Sequence, residues 1–386
     1  MDEFLPSELQ ALLATARAVA EETLLPEADS VDRDCLWPAA GLQALAATGL
    51  AGLTVPSRLG GLGQRLLGLV ALTEVLGQSC ASTAMCYAMH CVATAVIAAK
   101  ATRFHEEHYL RPIAAGRHLT TLALSETGTG AHFFLPQTRL EPRGDSFAVN
   151  GTKQFVTNGG QADSYVVSTT AGSETAEGDF SCVVVDRDTP GMSWGAPWRG
   201  LGMRGNASRS LTLENVVLPR HHLLGREGDQ AWYVFEVITP YFALAMAGTY
   251  LGVAGAALEA AVQHLKTRRY AHSGQAVAEI EVLQHRIGQL WTGWQKTRLL
   301  VYHAARLGDL GDPSALTAIL ACKADAANTA VTLVNEAMTL CGGMAYRENS
   351  TLSRLLRDAR AAHVMSPTTD MLTVWTGRTV LGLPLL

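Results

Sequence analysis

Apolar residues recur at three-to-four spacing through ALLATARAVA, LQALAATGL and LLGLVALTEVLG, the period of one helix face, and Pro56 and the GGLG of 60–63 punctuate the run. This predicts a helical unit over residues 1–117. From 118 to 228 the texture changes to short alternating or β-rich runs, SFAVNG, SYVVSTT, FSCVVVD and RSLTLENVVL, separated by Gly, Asp, Asn and Pro. Such runs predict an antiparallel β unit, a small sheet or barrel. After Gly228 the helical period returns and holds to residue 386, with breaks at HSG (272–274), GDLGDP and CGGMAYRENS, so four or five long helices are expected. The predicted class is α+β: an N-terminal helical domain (1–117), a middle antiparallel β-barrel-like domain (118–228) and a C-terminal four-helix bundle (229–386).

One stretch allows two readings. Between Glu236 and Glu259 no residue is charged, and the run is long enough to cross a bilayer. It contains Pro240, Thr239, Thr249 and several Gly, lacks basic flanks and continues into an amphipathic pattern, so a helix buried inside a bundle is expected instead.

Composition narrows the field. At 386 residues and 48% hydrophobic content, the chain has enough apolar surface for more than one core. A formal charge of -5 offers no field for collecting phosphate backbones, so nucleic acid is not an expected partner. Seven Cys, at 35, 80, 86, 91, 182, 322 and 341, follow neither the paired spacing of a zinc site nor that of a disulfide scaffold. No metal is expected. The acidic, amphipathic MDEFLPSELQALLATARAVAEE does not read as an export signal, and a cytoplasmic location is expected. Gly128 and Gly130 lack the spacing and context of a dinucleotide fingerprint, which argues against a Rossmann domain.

Several motifs occur in order. Leu53-Thr54-Val55-Pro56 precedes Gly60-Gly61-Leu62-Gly63, and the β unit carries Ala123-Leu124-Ser125-Glu126-Thr127-Gly128-Thr129-Gly130, then Val149-Asn150-Gly151-Thr152-Lys153-Gln154-Phe155-Val156-Thr157-Asn158. Leu201-Gly202-Met203-Arg204-Gly205-Asn206 and Glu214-Asn215-Val216-Val217-Leu218-Pro219 follow, and Gly342-Gly343-Met344-Ala345-Tyr346 and Leu356-Arg357-Asp358-Ala359-Arg360 complete the series. Taken singly, each could be ordinary turn chemistry. In this order the sequence resembles the acyl-CoA dehydrogenase family nearly end to end.

The resemblance implies bound FAD and oxidation of an acyl thioester, carried on CoA or on a carrier protein, by hydride transfer to flavin. It places Leu124 and Ser125 at the flavin's pyrimidine edge, Phe155 behind the ring, Thr157 beside its reactive nitrogen, and Thr368 and Asp370 toward the cofactor, Asp370 at its adenosine end. Gly342 and Gly343 would admit a neighbouring subunit's chain to the dinucleotide tail, since a side chain there would hold the backbone away. Arg268, or Arg269, and Gln284 match diphosphate-binding positions, although the aromatic-glycine pair expected after the arginine is missing and Ser273-Gly274 comes two residues late. A cofactor shared between subunits implies a homodimer or homotetramer.

The chain departs from the family at the catalytic carboxylate. Counting from Arg357-Asp358-Ala359, Ser366 takes its place and Pro367 that of a glycine. The alternative carboxylate and its arginine, on the first long C-terminal helix, are replaced near Phe242 and Ala243. A lone serine hydroxyl cannot remove an α-proton at neutral pH. His132 and Asp370 are the weak alternative bases, and His132 follows Ala131 where relatives carry a small hydroxyl residue. Two other functions stay open: a flavin-dependent monooxygenase on the same fold, and a non-catalytic subunit sharing flavin contacts in a hetero-oligomer.

Overall fold

The computed structural model describes residues 4–172, 176, 178–229 and 232–385. Three helices open the chain, α1 (Ser7–Val19), α2 (Leu25–Arg33) and α3 (Ala39–Ala47), with a π-helical turn at Ala20–Leu24 joining the first two without a break. α4 (Leu66–Ser79) and α5 (Ala81–Ala99) follow. α5 is buried around almost its whole circumference, so its polar side chains must find partners inside. Thr94 Oγ1 donates to His90 O at 2.8 Å, and His90 contacts Ala51 O through Nε2 at 2.9 Å while its Nδ1 accepts the amide of Thr120 at 3.1 Å. One buried imidazole thus ties the first helical unit to the first strand.

The middle of the chain forms two four-stranded sheets. One has the order β1 (Thr120–Ala123), β4 (Ser164–Thr169), β5 (Ser181–Asp186), β8 (Leu223–Leu224). The other has the order β2 (Arg139–Arg143), β3 (Ser146–Val156), β7 (Arg209–Pro219), β6 (Met192–Trp194). The sequence predicts antiparallel pairing throughout, and one pair corrects this: β1 and β4 are parallel, Thr120 opposite Ser164 and Ala123 opposite Val167. Parallel neighbours need a long crossover, which residues 124–163 supply while building β2 and β3 of the second sheet.

Five further helices complete the chain: α6 (Thr239–Thr267), α7 (Glu281–Leu310), α8 (Ala315–Cys341), α9 (Thr351–Val364) and α10 (Thr369–Val380). The uncharged stretch forms most of α6, which crosses α4 so closely that a Cβ on Gly252 would lie 2.2 Å from Glu74 O and one on Gly77 2.5 Å from Thr249 O. Ala81–Ala99 and Tyr233–Thr267 are long and apolar enough to cross a membrane, but 94% and 78% of their most apolar windows are buried within the fold. Both helical units contribute to one continuous apolar core, whereas the face between the sheets has its own, around Phe147, Val149, Tyr165 and Leu213.

Candidate active-site seam

The loop leaving β1 is anchored by a buried ion pair. Lys153 Nζ, fully buried on β3, donates to Glu126 Oε1 at 2.5 Å and Ser168 Oγ at 2.9 Å. Glu126 also accepts from the amides of Gln137 (2.7 Å) and Thr138 (3.1 Å) and from Thr138 Oγ1 (2.7 Å), so the carboxylate closes the loop upon itself. Burial pushes the Glu126 carboxyl up, but the Lys153 charge and these donors outweigh it and hold the group below its ordinary value. Burial lowers the Lys153 ammonium to about 8 against the pull of Glu126. Leu124 and Ser125, both half-buried, begin this loop, and Ser125 O accepts the amide of Gln154 at 2.7 Å.

That contact brings in the end of β3. The pairing of β3 with β7 shifts between Lys153 and Val156, and within this irregularity Phe155 has φ 55°. A bulge re-aims a side chain. Here it leaves the Phe155 ring 66% exposed, edge-on to Trp198 with centroids 6.1 Å apart. Thr157, two residues on, is buried, and its carbonyl accepts Thr121 Oγ1 at 2.9 Å. Asn158 accepts from Trp37 Nε1 at 2.9 Å and donates to Cys86 O at 3.0 Å, which fastens the strand to the first helical unit.

The Leu201–Asn206 motif and the Arg357-Asp358-Ala359 motif meet each other. A Cβ on Gly202 would lie 2.1 Å from Arg357 O, and Asp358 Oδ1 accepts the amide of Met203 at 2.6 Å. Burial raises the Asp358 carboxyl to about 6, against the Met203 amide. Gly205 N donates to Ser82 Oγ at 3.1 Å. These residues form the joint between the sheets and the helices.

Beyond α9, the turn to α10 carries Ser366, whose Oγ donates to Ala131 O at 3.0 Å. The first sheet's loop and the last helical turn therefore meet across a seam. Lys323 of α8 lies beneath this turn with no exposed surface, and Nζ donates to Ala362 O (3.1 Å), Met365 O (3.2 Å) and Pro367 O (2.9 Å). Burial lowers this ammonium to about 7. Thr368 caps α10, its Oγ1 accepting the amide of Met371 at 3.4 Å, and Asp370 is exposed in the helix's first turn. His132 is exposed on the loop, edge-on to Phe134. Phe242 and Ala243 are packed into the core. Trp198 Nε1, His363 Nε2 and Thr369 Oγ1 are buried without a hydrogen-bond partner.

The remaining candidates lie on other segments of the C-terminal helical unit. Arg268 is exposed at the end of α6, whereas Arg269 donates to Gly274 O at 3.2 Å. Gln284 donates to Ala278 O at 2.9 Å. Gly342, at φ 64°, and Gly343 are exposed at the end of α8, where an added Cβ on either would meet nothing within 4 Å. A cavity of about 670 Å³ lies elsewhere, between α1, α4, α6 and α7, where Arg298 Nε and Tyr302 OH donate to Glu74 at 2.6 and 2.5 Å. No candidate site residue lines it.

The sequence reading did not single out Lys323, the Lys153–Glu126 pair or Trp198. Lys153 and Glu126 lie inside the ordered motifs, but with Thr152 and Gln154 as its neighbours Lys153 carried no local sign of burial. Lys323 offered only a charge two residues from Asp325 in the largely apolar run AILACKADAA, and Trp198 had no signal at all.

Three domains of one family match this chain in order: acyl-CoA dehydrogenase N-terminal domain at residues 6–117, middle domain at 121–216 and C-terminal domain at 232–381. Cyclohex-1-ene-1-carbonyl-CoA dehydrogenase of Geobacter metallireducens is 30% identical over 380 residues, 98% of this chain and 99% of its own. Among solved structures, butyryl-CoA dehydrogenase from Megasphaera elsdenii superposes with a TM-score of 0.92 at 24% identity, covering 98% of this chain and 99% of that one. The prolyl acyl carrier protein oxidase AnaB superposes with a TM-score of 0.89 at 22% identity, covering 98% and 100%. With its motifs placed at the joints and seam of a helix-rich, two-sheet fold and three domains matched in sequence order, the chain belongs to the acyl-CoA dehydrogenase family.

Proposed function

We propose that this protein is an FAD-dependent oxidoreductase that oxidises an acyl thioester, carried on CoA or on a carrier protein. The observation that carries the reading is the convergence of Leu124–Ser125, Phe155–Thr157 and Ser366 on one seam, through the Gln154–Ser125 and Ser366–Ala131 hydrogen bonds at 2.7 and 3.0 Å. The residues suit a flat heterocycle: Phe155 offers a ring 66% exposed, and Trp198 beside it has a buried N–H with no protein acceptor. When bound, FAD supplies an acceptor for hydride, which no side chain of the protein provides.

In this reading Leu124 and Ser125 hold the pyrimidine edge, Phe155 backs the ring and Thr157 lies beside its reactive nitrogen. Thr368 and Asp370 face the cofactor, and Gly342, Gly343, Arg268 and Gln284 serve the dinucleotide tail across a homodimer or homotetramer. Ser366 supplies no carboxylate, and its hydroxyl proton is directed at Ala131 O. A cytoplasmic location, division of the chain at 1–117, 118–228 and 229–386, a barrel-like middle domain and a C-terminal four-helix bundle belong to the same reading.

The test is anaerobic incubation of FAD-loaded protein with CoA and carrier-protein thioesters. At least one should bleach the flavin's visible absorbance, and a broad panel without effect would overturn the proposal. Phe155→Ala should weaken FAD binding about tenfold, roughly the worth of one aromatic contact. Its unfolding midpoint in urea should stay unchanged, because the ring is mostly exposed.

A further inference from the structure

Lys323 is a buried cation whose described hydrogen bonds all go to backbone carbonyls. An ammonium taken out of water without an anion is costly, and it persists only where its protons are all accepted. Here three acceptors are supplied by one short turn. Ala362 O belongs to the last turn of α9, where carbonyls lack helical partners and carry the negative end of the helix dipole. Met365 O and Pro367 O lie immediately on either side of Ser366. One cation therefore fixes the backbone before and after the serine.

With the turn so held, Ser366 Oγ reaches Ala131 O, 235 positions earlier in the chain. The loop bearing Ala131 is itself fixed at its stem by Glu126, through Lys153, Gln137 and Thr138. Within it the amides of Thr129, His132 and Leu135 bond Glu126 O, Thr129 O and His132 O. The stem is anchored without Ser366. The tip is tied to the helical side of the seam by the Ser366 hydrogen bond and, next to it, by Phe134, buried against Trp375 of α10 with ring centroids 6.0 Å apart.

We propose that Lys323 and Ser366 are positioning residues forming a polar latch, in which Lys323 sets the turn and Ser366 joins it to the 126–132 loop, thereby fixing the width of the seam. Its assignment to thioester oxidation rests on the function proposed above, whereas the latch itself can be tested without substrate or cofactor.

Hydrogen exchange on the full-length protein, with and without FAD, separates the two residues. Ser366→Ala should speed exchange of the Thr129, His132 and Leu135 amides about tenfold, near the net worth of one hydrogen bond, and leave 369–380 unchanged. Ser366→Thr should restore the wild-type rates by keeping the hydroxyl. Lys323→Met should speed exchange in both the 362–368 turn and the loop; should that variant not fold, the Ser366 pair still decides the question. In FAD-loaded protein, Ser366→Ala should raise KM for a bleaching thioester about fivefold, the effect of a modest loss of one hydrogen bond, with kcat and flavin content within twofold of wild type. Loop exchange unaltered in Ser366→Ala, or no rescue by threonine, would overturn the latch. Failure of every thioester to bleach the wild-type flavin would instead remove the proposed function and leave the exchange result standing.

Discussion

Lys153 and Glu126 illustrate how single residues hold the seam. Removing one partner of a buried pair leaves the other charge without compensation, which costs about 3–5 kcal/mol. Lys153→Met should lower the urea midpoint accordingly, and adding Glu126→Gln should recover part of the loss. His90 makes a different prediction. Burial lowers its pKa from 6.5 to about 4, with the neighbouring His118 acting in the same direction and Asp163 against it. A depressed folded pKa gives stability that is present above the unfolded value of 6.5 and lost as pH falls through about 4. The size of that loss is about 3 kcal/mol by proton linkage. Urea midpoints measured from neutral pH down to about pH 4 should therefore fall less steeply for His90→Gln than for wild type. The imidazole was legible in the sequence only as a His in an apolar helix; its bonds to Ala51 and Thr120 required two distant segments to meet.

At the scale of elements, the α4–α6 crossing turns a feature of the sequence into a packing constraint. An uncharged, glycine-bearing stretch indicates burial, yet the text of one helix does not name its neighbour. The fold shows why glycine is needed, since the Cβ of Gly252→Ala would lie 2.2 Å from a backbone oxygen that cannot move alone. This substitution should destabilise the protein by about 2–3 kcal/mol through overpacking, read as a lower thermal midpoint. The strands show the complementary limit. Alternation located the β unit, but strand direction depends on the intervening chain, so the parallel β1–β4 pair escaped prediction. Likewise, the bulge at Phe155 comes from a register shift against β7, a strand more than fifty residues away.

The whole molecule leaves several large apolar side chains exposed on its C-terminal helices and turns, among them Trp291, Met344, Tyr346, Val374, Val380 and Leu381. A cofactor tail shared between two copies, as proposed for Arg268, Gln284 and Gly342–Gly343, requires an oligomer. Light scattering during size-exclusion chromatography should accordingly give two or four times 41.1 kDa, and a monomer at micromolar concentration would remove the shared site. Replacing Tyr346 and Val380 by Asp should shift the population toward monomer and, with it, lower FAD retention.

The order of helical, β and helical units was determined along the chain itself, because apolar periods of three-to-four and two are local properties. So was membership of the family, whose motifs are contiguous strings. The expectation that Ser366 stands at the family's carboxylate position came from the same strings, with Asp370 only four residues further on. Tertiary structure alone decided that the serine hydroxyl reaches Ala131, that Lys323 secures the backbone around it, and that Glu126 meets Lys153. Each of these is a polar contact between segments far apart in the chain, and its existence depends on which buried groups the packed core leaves to satisfy one another.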